Sequence, residues 1–438
     1  MFLFVCAFDE KEKVPVRTLS ALIIIAALTF YGGAFLAHGQ ASPDRLTAEI
    51  DSNSKVVLAG SVNPNALRQN DVGRIASSTR VGGITIYFRP STEQQAELDA
   101  LVKAQQTPGS AYYHKWLTPA EYASRFGPSD NDLEKIQTWI EQQGFAVDRV
   151  AKSHNSISFS GTVGQVELAF QTEIHNYTLG NEAHFANSTQ LTIPAALSGV
   201  VRSVRNLDNF HPKPFVRFHK NITSTAKPAF TSSQSGSHYL QPGDVAVIYD
   251  IKAAYSAGYT GTGQSIAIVG QSEVDVSDIE KFQSASGLTK KDPTLVLVPN
   301  SGSAAVSSGD EAESDLDLEY SGGIAKGATI YFVYVGNNSN YSVWDSIQYA
   351  VDTNIAPIIS VSYGACEPDL SSSDYSTLES IMEQGASQGQ SIIVASGDDG
   401  STACYADVTG STTTITSQEK ELAVSYPASS AYVTAVGG

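Results

Sequence analysis

Six carboxylic acids are crowded into one short segment, residues 310–319. If this segment is helical, Glu313 and Asp317 lie one turn apart on the same face, close enough to share a proton. Two like charges at that distance raise the pKa of at least one carboxyl, so the pair would act as a base only in acid. The alternative is a solvated acidic helix face, which the spacing alone favours.

Two other segments whose residues could take part in catalysis or binding follow apolar, strand-like runs. Asp398 comes directly after the run 391–395, where a neutral carboxyl at the end of a parallel strand could donate a hydrogen bond to an oxyanion. A simple tight turn is the alternative. Ser362, Tyr363 and Gly364 end another run, and a glycine there lets a substrate peptide approach as an added strand. A plain exit from strand to loop is equally compatible with these residues.

The histidines restrict the chemistry that the second half of the chain can perform. All eight of them lie at or before His238. A Ser-His-Asp triad, a histidine-bearing zinc site and a Cys-His protease site are therefore excluded from the residues that follow. Proton transfer there must use carboxylates, tyrosine or lysine.

Alternating strand and helix patterns would position these candidates. After residue 240, β-rich apolar runs occur at 265–269, 329–335, 357–361 and 391–395, separated by helical patterns at 276–283, 311–320, 342–352 and 373–385. Strands that alternate with helices predict parallel βαβ units, hence a doubly wound α/β sheet buried on both faces. Such sheets place ligands at the carboxyl ends of their strands.

The preceding part of the chain has a different pattern. Residues 45–206 mix short strand-like runs with amphipathic helical patterns, which predicts a separate α+β domain. Residues 209–243 contain no Asp or Glu but do contain four lysines or arginines, three histidines and several prolines. We interpret residues 207–240 as an exposed, readily cut linker, and 241–438 as a second domain.

The first 39 residues resemble an export signal. Basic residues precede the apolar run 19–30, and Ala37-His38-Gly39 forms a small-x-small cleavage site. A single membrane anchor is the alternative, but the run is short for a full span. Removing this segment removes Cys6 and leaves Cys366 and Cys404, an even pair in an oxidising compartment. That parity favours a disulfide, with two buried free thiols as the alternative.

The overall composition limits the possible partners. A hydrophobic content of 42% with 16% charged residues is typical of folded domains, and the net charge of −18 argues against nucleic acid or an anionic membrane as a partner. We expect no stable membrane anchor in the mature protein.

Motifs in both halves resemble the sedolisins, the serine-carboxyl peptidases. Residues 109–122 (GSAYYHKWLTPAEY), followed by Phe126, are similar to the hallmark of the kumamolisin-type activation domain, and residues 159–167 continue the likeness. In the second half, Glu313-x-x-x-Asp317 is similar to the family's base motif. Gly397-Asp398-x-Gly400 is similar to the motif that completes its oxyanion hole, and Ser362-Tyr363-Gly364 to its substrate-binding strand.

The resemblance implies a fold, a set of roles and partners. It implies a subtilisin-like doubly wound sheet preceded by an α+β, ferredoxin-like prosegment that inhibits the enzyme intramolecularly. Glu313 would be the general base, Asp317 its orienter and Asp398 part of the oxyanion hole, in an endopeptidase that acts on protein or peptide substrates in acid. Calcium is the cofactor implied by the family.

One departure from the family pattern concerns the nucleophile. The family's serine lies in a Gly-Thr-Ser turn, and these 438 residues contain no such turn. We therefore expect an incomplete sheet, missing calcium ligands and an inactive chain as it stands. Alternatives are a catalytically dead fragment and a peptide-binding protein.

Overall fold

The strands predicted after residue 240 form a parallel sheet in a computed structural model of the chain. The structure describes residues 42–215, 230–231, 238–307, 309–398, 400–401 and 422–437. The predicted export signal, residues 1–39, therefore lies outside the described residues. The described residues all belong to one unit of tertiary contacts, Gly39–Gly438.

The first region is a mixture of strands and helices. They are β1 (Lys55–Leu58), β2 (Asp71–Arg74), β3 (Arg80–Phe88), α1 (Thr92–Gln106), α2 (Pro119–Phe126), α3 (Asp130–Gln142), β4 (Ala146–Val150), β5 (Ser156–Thr162), α4 (Val163–Phe170), β6 (Ile174–Leu179), β7 (Glu182–Asn187), β8 (Leu191–Pro194) and β9 (Val201–Arg205). Helices α1, α2 and α4 each begin with a capping box, in which a Ser or Thr and a Gln or Glu three residues later satisfy each other's backbone N–H groups.

The main sheet of this region has the strand order β4-β5-β3-β9, with every pair antiparallel. Along the chain, the elements of this sheet and its helices follow the order strand, helices, two strands, helix and strand. This is the order of a ferredoxin-like domain, as predicted. Helices α3 and α4 bury Ile136, Ile140 and Phe170 against Ile86 and Phe159 of the sheet. Two smaller antiparallel sheets, β2-β6-β7 and β1-β8, complete the region.

The rest of the chain consists of the linker and the second region. Its elements are β10 (Lys213–Pro214), β11 (Phe230–Thr231), β12 (His238–Tyr239), α5 (Pro242–Ile248), α6 (Ile251–Ser256), β13 (Ser265–Gly270), α7 (Val276–Ala285), β14 (Thr294–Leu297), α8 (Glu311–Ile324), β15 (Thr329–Tyr334), α9 (Val343–Thr353), β16 (Ile358–Val361), β17 (Tyr363–Cys366), α10 (Ser372–Ser387), β18 (Ser391–Ala395), β19 (Ser425–Tyr426) and β20 (Thr434–Val436).

The large sheet of this region has the order β14-β15-β13-β16-β18-β20, and its strands are all parallel. One face packs on α9 and α10 and the other on α7 and α8, so the sheet is doubly wound, as predicted. The predicted strands and helices agree closely with the observed ones. The edge strands β14 and β20 were not predicted, because they are too short to give a clear pattern.

Helix α8 extends beyond its predicted end at Tyr320 to Ile324, although Gly322 and Gly323 lie in this extension. Glycine usually weakens a helix. At position 323 a Cβ would lie 2.6 Å from Cγ of Pro242, so tertiary packing requires the glycine there.

The proposed domain boundaries, 45–206, 207–240 and 241–438, remain predictions.

Candidate active site

The candidate residues are collected at one edge of the large sheet. Strands β16 and β18 are parallel neighbours, so the residues after their carboxyl ends, Ser362 and Asp398, lie at the same edge. The chain places β14 and β15 on one side of β13 and β16 on the other, and ligands bind at the carboxyl ends of strands where the order reverses in this way.

A direct hydrogen bond links the acidic helix to this edge. Ser362 Oγ donates to Asp317 Oδ1 at 2.8 Å. Asp317 Oδ2 is also enclosed by protein, and it has no hydrogen-bond partner among the described residues. Burial raises the pKa of Asp317 to about 7, although the Ser362 bond lowers it in part. A buried carboxyl with one fixed oxygen is suited to orienting a neighbouring group.

Glu313 lies on the same face of α8, one turn before Asp317, and only 3% of its surface is exposed. Its burial rules out the solvated helix face for this residue. Tyr363 is fully buried beside it. Burial first, and then the negative charges of Asp310, Glu313 and Asp317, raise the pKa of the Tyr363 hydroxyl well above its usual value. These acids therefore converge on Tyr363.

The remaining acids of α8 form a second group near α7. Burial, followed by the charges of Glu311, Asp278 and Asp275, raises the pKa of Asp315 to about 6. Burial, with the charges of Asp315 and Asp278, raises the pKa of Glu319 to about 7. The acidic segment thus has two separate faces. Helical spacing grouped Glu313 with Asp317, but it did not predict the second group near α7.

Asp398 is exposed, in the turn that follows β18. The preceding residue, Gly397, has a φ of 88°, a conformation that favours glycine. A Cβ on Gly397 would lie 3.9 Å from Cβ of Ser425, and one on Gly364 would lie 2.6 Å from Ser425 Oγ. The Asp398 turn and the predicted substrate strand therefore flank the same residue. The individual roles of Glu313, Asp317, Asp398, Ser362, Tyr363 and Gly364 remain predictions.

Cys366 ends β17 and is 2% exposed. Cys404 lies outside the described residues, so a disulfide between the two remains a prediction.

Among the residues that the structure describes, no three His, Cys, Asp or Glu side chains are grouped so as to hold a metal ion. No helix within the same residues is both long enough and apolar enough to cross a membrane.

Known families match both regions of the chain. The pro-kumamolisin activation domain matches residues 68–210, and the subtilase family matches residues 299–438. The chain is 30% identical over 355 residues to sedolisin from Pseudomonas sp. (strain 101), covering 78% of this chain and 57% of that protein. It is also 30% identical over 361 residues to xanthomonalisin from Xanthomonas sp. (strain T-22), covering 78% of this chain and 43% of that protein.

The chain is similar to the sedolisins in both of its regions. Kumamolisin from Bacillus sp. (strain MN-32) is 26% identical over 397 residues, with coverage of 89% of this chain and 67% of that protein. A solved structure of Pseudomonas sedolisin, complexed with pseudo-iodotyrostatin, is 28% identical with a TM-score of 0.37, and covers 45% of this chain and 53% of that one. The chain spans about half the length of sedolisin and xanthomonalisin.

The region that matches the pro-kumamolisin activation domain contacts the region that matches the subtilase family through carboxylates that the sequence patterns did not single out. Asp352 of α9 is fully buried and accepts hydrogen bonds from Arg149 Nη1 (3.1 Å), the Lys152 N–H (3.1 Å), and the Ser153 N–H (2.9 Å) and Oγ (2.7 Å). Arg205, at the end of β9, pairs with Asp374 of α10 at 2.6 Å.

The hallmark segment of the prosegment contacts the end of α10. The Leu117 N–H donates to the carbonyl of Ser387 at 3.0 Å, and Gln105 Nε2 donates to the same carbonyl at 2.9 Å. A Cβ on Gly389 would lie 2.4 Å from the Trp116 ring, so this glycine allows the indole to approach closely. The hallmark residues therefore contribute to the contact between the two regions as well as to the prosegment's own fold.

Proposed function

We propose that this chain is the precursor form of a secreted, acid-acting serine-type endopeptidase that cleaves protein or peptide substrates. The observation that carries the proposal is the buried acidic face of α8, where Glu313 lies one turn from Asp317 and Ser362 fixes the Asp317 carboxyl. The similarity to sedolisin and xanthomonalisin supports the same reaction class. Two acidic side chains buried at the ligand-binding edge of a parallel sheet can take part in catalysis. The same pair would have no such use in a helix that only supported the fold.

In the proposed mechanism, Glu313 is the general base and Asp317 orients it. Glu313 takes the proton of a serine hydroxyl, the serine oxygen attacks the peptide carbonyl, and Asp398 in its protonated form donates a hydrogen bond to the oxyanion. Collapse of the intermediate releases the amine, and water then releases the acyl group. No serine of these 438 residues is assigned as the nucleophile, because the family's Gly-Thr-Ser turn does not occur in them.

Acid conditions suit this site for a physical reason. Burial raises the pKa of Asp317 to about 7, so this carboxyl holds a proton below about that pH. Above that pH a negative charge would have to form on a carboxyl that the protein encloses. We therefore propose an acid optimum for activity.

The remaining features of the proposal are maturation and cofactors. The prosegment, bound through Asp352 and Asp374, would act as an intramolecular inhibitor. Secretion rests on the signal-like residues 1–39, and a Cys366–Cys404 disulfide would suit that compartment. Calcium is implied by the family, but no ligand set on this chain is assigned to it, so no step of the mechanism uses it.

Peptidase assays on the protein expressed from the complete reading frame test the proposal. After incubation at pH 3–7 with a fluorescent protein substrate, we expect acid activity that Glu313→Gln reduces by on the order of 10³-fold or more. The matched control is Glu134→Gln, on the exposed side of α3, which should retain full activity. Acid activity that survives Glu313→Gln would remove this residue as the base.

Two other functions make different predictions in the same experiment. A catalytically dead fragment would show neither cleavage nor peptide binding. A peptide-binding protein would bind substrate peptides without cleaving them, and Glu313→Gln would leave that binding unchanged.

A further inference from the structure

The turn between β4 and β5 of the first region contacts both α9 and α10 of the second region. Ser153 donates two hydrogen bonds to Asp352 of α9. Asn155 Nδ2 donates to Oε1 of Gln384, on α10, at 2.6 Å. The oxygen of the same carboxamide accepts a hydrogen bond from Gln348 Nε2, on α9, at 3.1 Å. One asparagine of the first region therefore bridges two helices of the second.

This contact is part of a chain of five side-chain amides. Gln384 Nε2 donates to Gln388 Oε1 at 3.2 Å, and Gln388 Nε2 donates to Gln390 Oε1 at 3.1 Å. Gln390 Nε2 ends the chain by donating to the backbone carbonyls of Ala350 and Ala356. The glutamines of the chain are all buried, with exposures of 5% or less. Each amide therefore depends on its neighbours, and not on water, for hydrogen-bond partners.

The backbone at the far end of this chain fixes its direction. A carbonyl oxygen can only accept a hydrogen bond, so Gln390 directs its N–H groups to the carbonyls there and its oxygen to Gln388. The same reasoning applies at each link in turn. It requires Asn155 to direct its N–H groups to Gln384 and its oxygen to Gln348. The position between these two glutamines therefore accepts a carboxamide in one orientation only.

Other side chains of similar size do not meet these requirements. Leucine has neither polar group, so Gln348 Nε2 and Gln384 Oε1 would both lose their partner. Aspartate has the oxygen but no N–H, and its charged form would place one acceptor against another, Gln384 Oε1. A buried site built to make a hydrogen bond discriminates strongly against partners that cannot make it, because its own polar groups are then left unpaired.

We infer that Gln348 and Gln384 form an amide-recognition site on the second region, and that Asn155 is the residue by which this site selects the first region as its partner. The inference rests on the proposed function, in which the first region is the prosegment of the enzyme. A segment that binds at this site must present a carboxamide on a tight turn, as residues 151–155 do. The site accepts the enzyme's own prosegment and discriminates against prosegments with another residue at this position.

Hydrogen exchange on the 438-residue chain measures this contact without requiring any activity. The N–H groups of Leu117 and Ser153 donate to the second region, so their exchange reports separation of the two regions. In Asn155→Leu we expect both to exchange about 10- to 100-fold faster, because two buried groups lose their partner. The N–H of Val163, which donates to Thr79 within the first region, should keep its wild-type rate.

Asn155→Asp tests the direction of the chain of amides. At neutral pH the carboxylate cannot donate to Gln384, so Leu117 and Ser153 should exchange faster than in the wild type at the same pH. In acid the carboxyl is protonated, and its O–H can donate to that oxygen, so the variant should approach the wild-type rate. Asn155→Leu should remain faster than the wild type at both pH values.

A double-mutant cycle assigns the effect to the contact between Asn155 and Gln384. Methionine is similar in length to glutamine and has no N–H or carbonyl group. Asn155→Leu should therefore accelerate exchange less in a Gln384→Met chain than in the wild type. The matched control is Asn53→Leu, at an exposed asparagine of the same region whose Nδ2 bonds to Asp51. This variant should exchange as the wild type does.

Two results overturn the recognition site: wild-type exchange at Leu117 and Ser153 in Asn155→Leu, or an Asn155→Asp variant that matches the wild type at neutral pH. If Val163 also exchanges faster in Asn155→Leu, the first region itself has opened, and Asn155→Asp, whose size is unchanged, decides. A precursor from the complete reading frame that cleaves no protein substrate overturns the proposed function, while the exchange rates still decide whether this site recognises Asn155.

Discussion

The hydroxyl of Ser362 donates a 2.8 Å hydrogen bond to Oδ1 of Asp317, which connects the strand predicted to bind substrate to the helix predicted to carry the base. The two residues are far apart in sequence and lie on different elements. The bond fixes one oxygen of Asp317 and directs the carboxyl within the site. The substrate strand thus positions the acid pair, in addition to any role in binding a peptide.

Ser362→Ala should raise the pKa of Asp317 further. The Ser362 hydroxyl stabilises the charged form of the carboxylate, and burial, which opposes it, remains in the variant. Titration of the Asp317 carboxyl carbon by NMR would measure the shift. Ser256→Ala, which removes a hydroxyl bound only to the backbone of α6, is the control and should leave the Asp317 pKa unchanged. An unchanged Asp317 pKa in Ser362→Ala would contradict the role given to this bond.

Asp317→Asn should make the free energy of unfolding less dependent on pH between acid and neutral conditions. The folded-state pKa of Asp317, about 7, exceeds its ordinary value of 3.8. The folded state therefore binds more protons than the unfolded state across this window. The stability that the protonated carboxyl contributes is complete below about pH 3.8 and is lost as the pH rises through about 7.

The uncharged amide removes this dependence. The free energy of unfolding of Asp317→Asn, minus that of the wild type, should rise by on the order of 3 kcal/mol between pH 4 and pH 8. Urea unfolding at several pH values measures it. The corresponding difference for Glu134→Gln should stay flat, and a flat difference for Asp317→Asn would show that the carboxyl is not protonated in the folded state at acid pH.

Asp352→Ala should weaken the contact between the prosegment and the subtilase region. The carboxylate is fully buried, and it satisfies two backbone N–H groups and a hydroxyl of residues 152–153. Removing it leaves those donors without a partner, at a cost on the order of 3 kcal/mol. We expect faster hydrogen exchange at Lys152 and Ser153 and a lower free energy of unfolding. Glu134→Ala should change neither quantity, and protection at Ser153 that survives Asp352→Ala would argue against this anchor.

Cys366 and Cys404 should form a disulfide in an oxidising compartment. Mass spectrometry of peptides from the unreduced protein should find the two cysteines linked. Cys366→Ser and the double variant with Cys404→Ser should lose similar amounts of stability, about 2–4 kcal/mol, because either change opens the same loop. Alkylation of both cysteines without prior reduction would show that they are free thiols.

The local patterns of the sequence determined most of the secondary structure and the fold class. The alternation of apolar strands and helical patterns after residue 240 predicted the parallel sheet, because a strand buried on both faces has a continuous apolar signature. The absence of histidine after His238 excluded a histidine-based catalytic site by composition alone. The spacing of Glu313 and Asp317 placed them on one helix face, since helix geometry is local.

Only the tertiary structure decided which acids are buried and what they contact. Helical spacing places Asp315 and Asp317 on different faces of α8, but it does not say which face meets the sheet. The packing of α8 on the sheet fixes its rotation, so that Asp315 lies near the acids of α7 and Asp317 contacts Ser362. The position of Phe215 was likewise not predictable from the sequence. Its contacts with Gly364 and Gly397 join residues far apart in the chain, and no periodicity in a sequence encodes a contact at such separation.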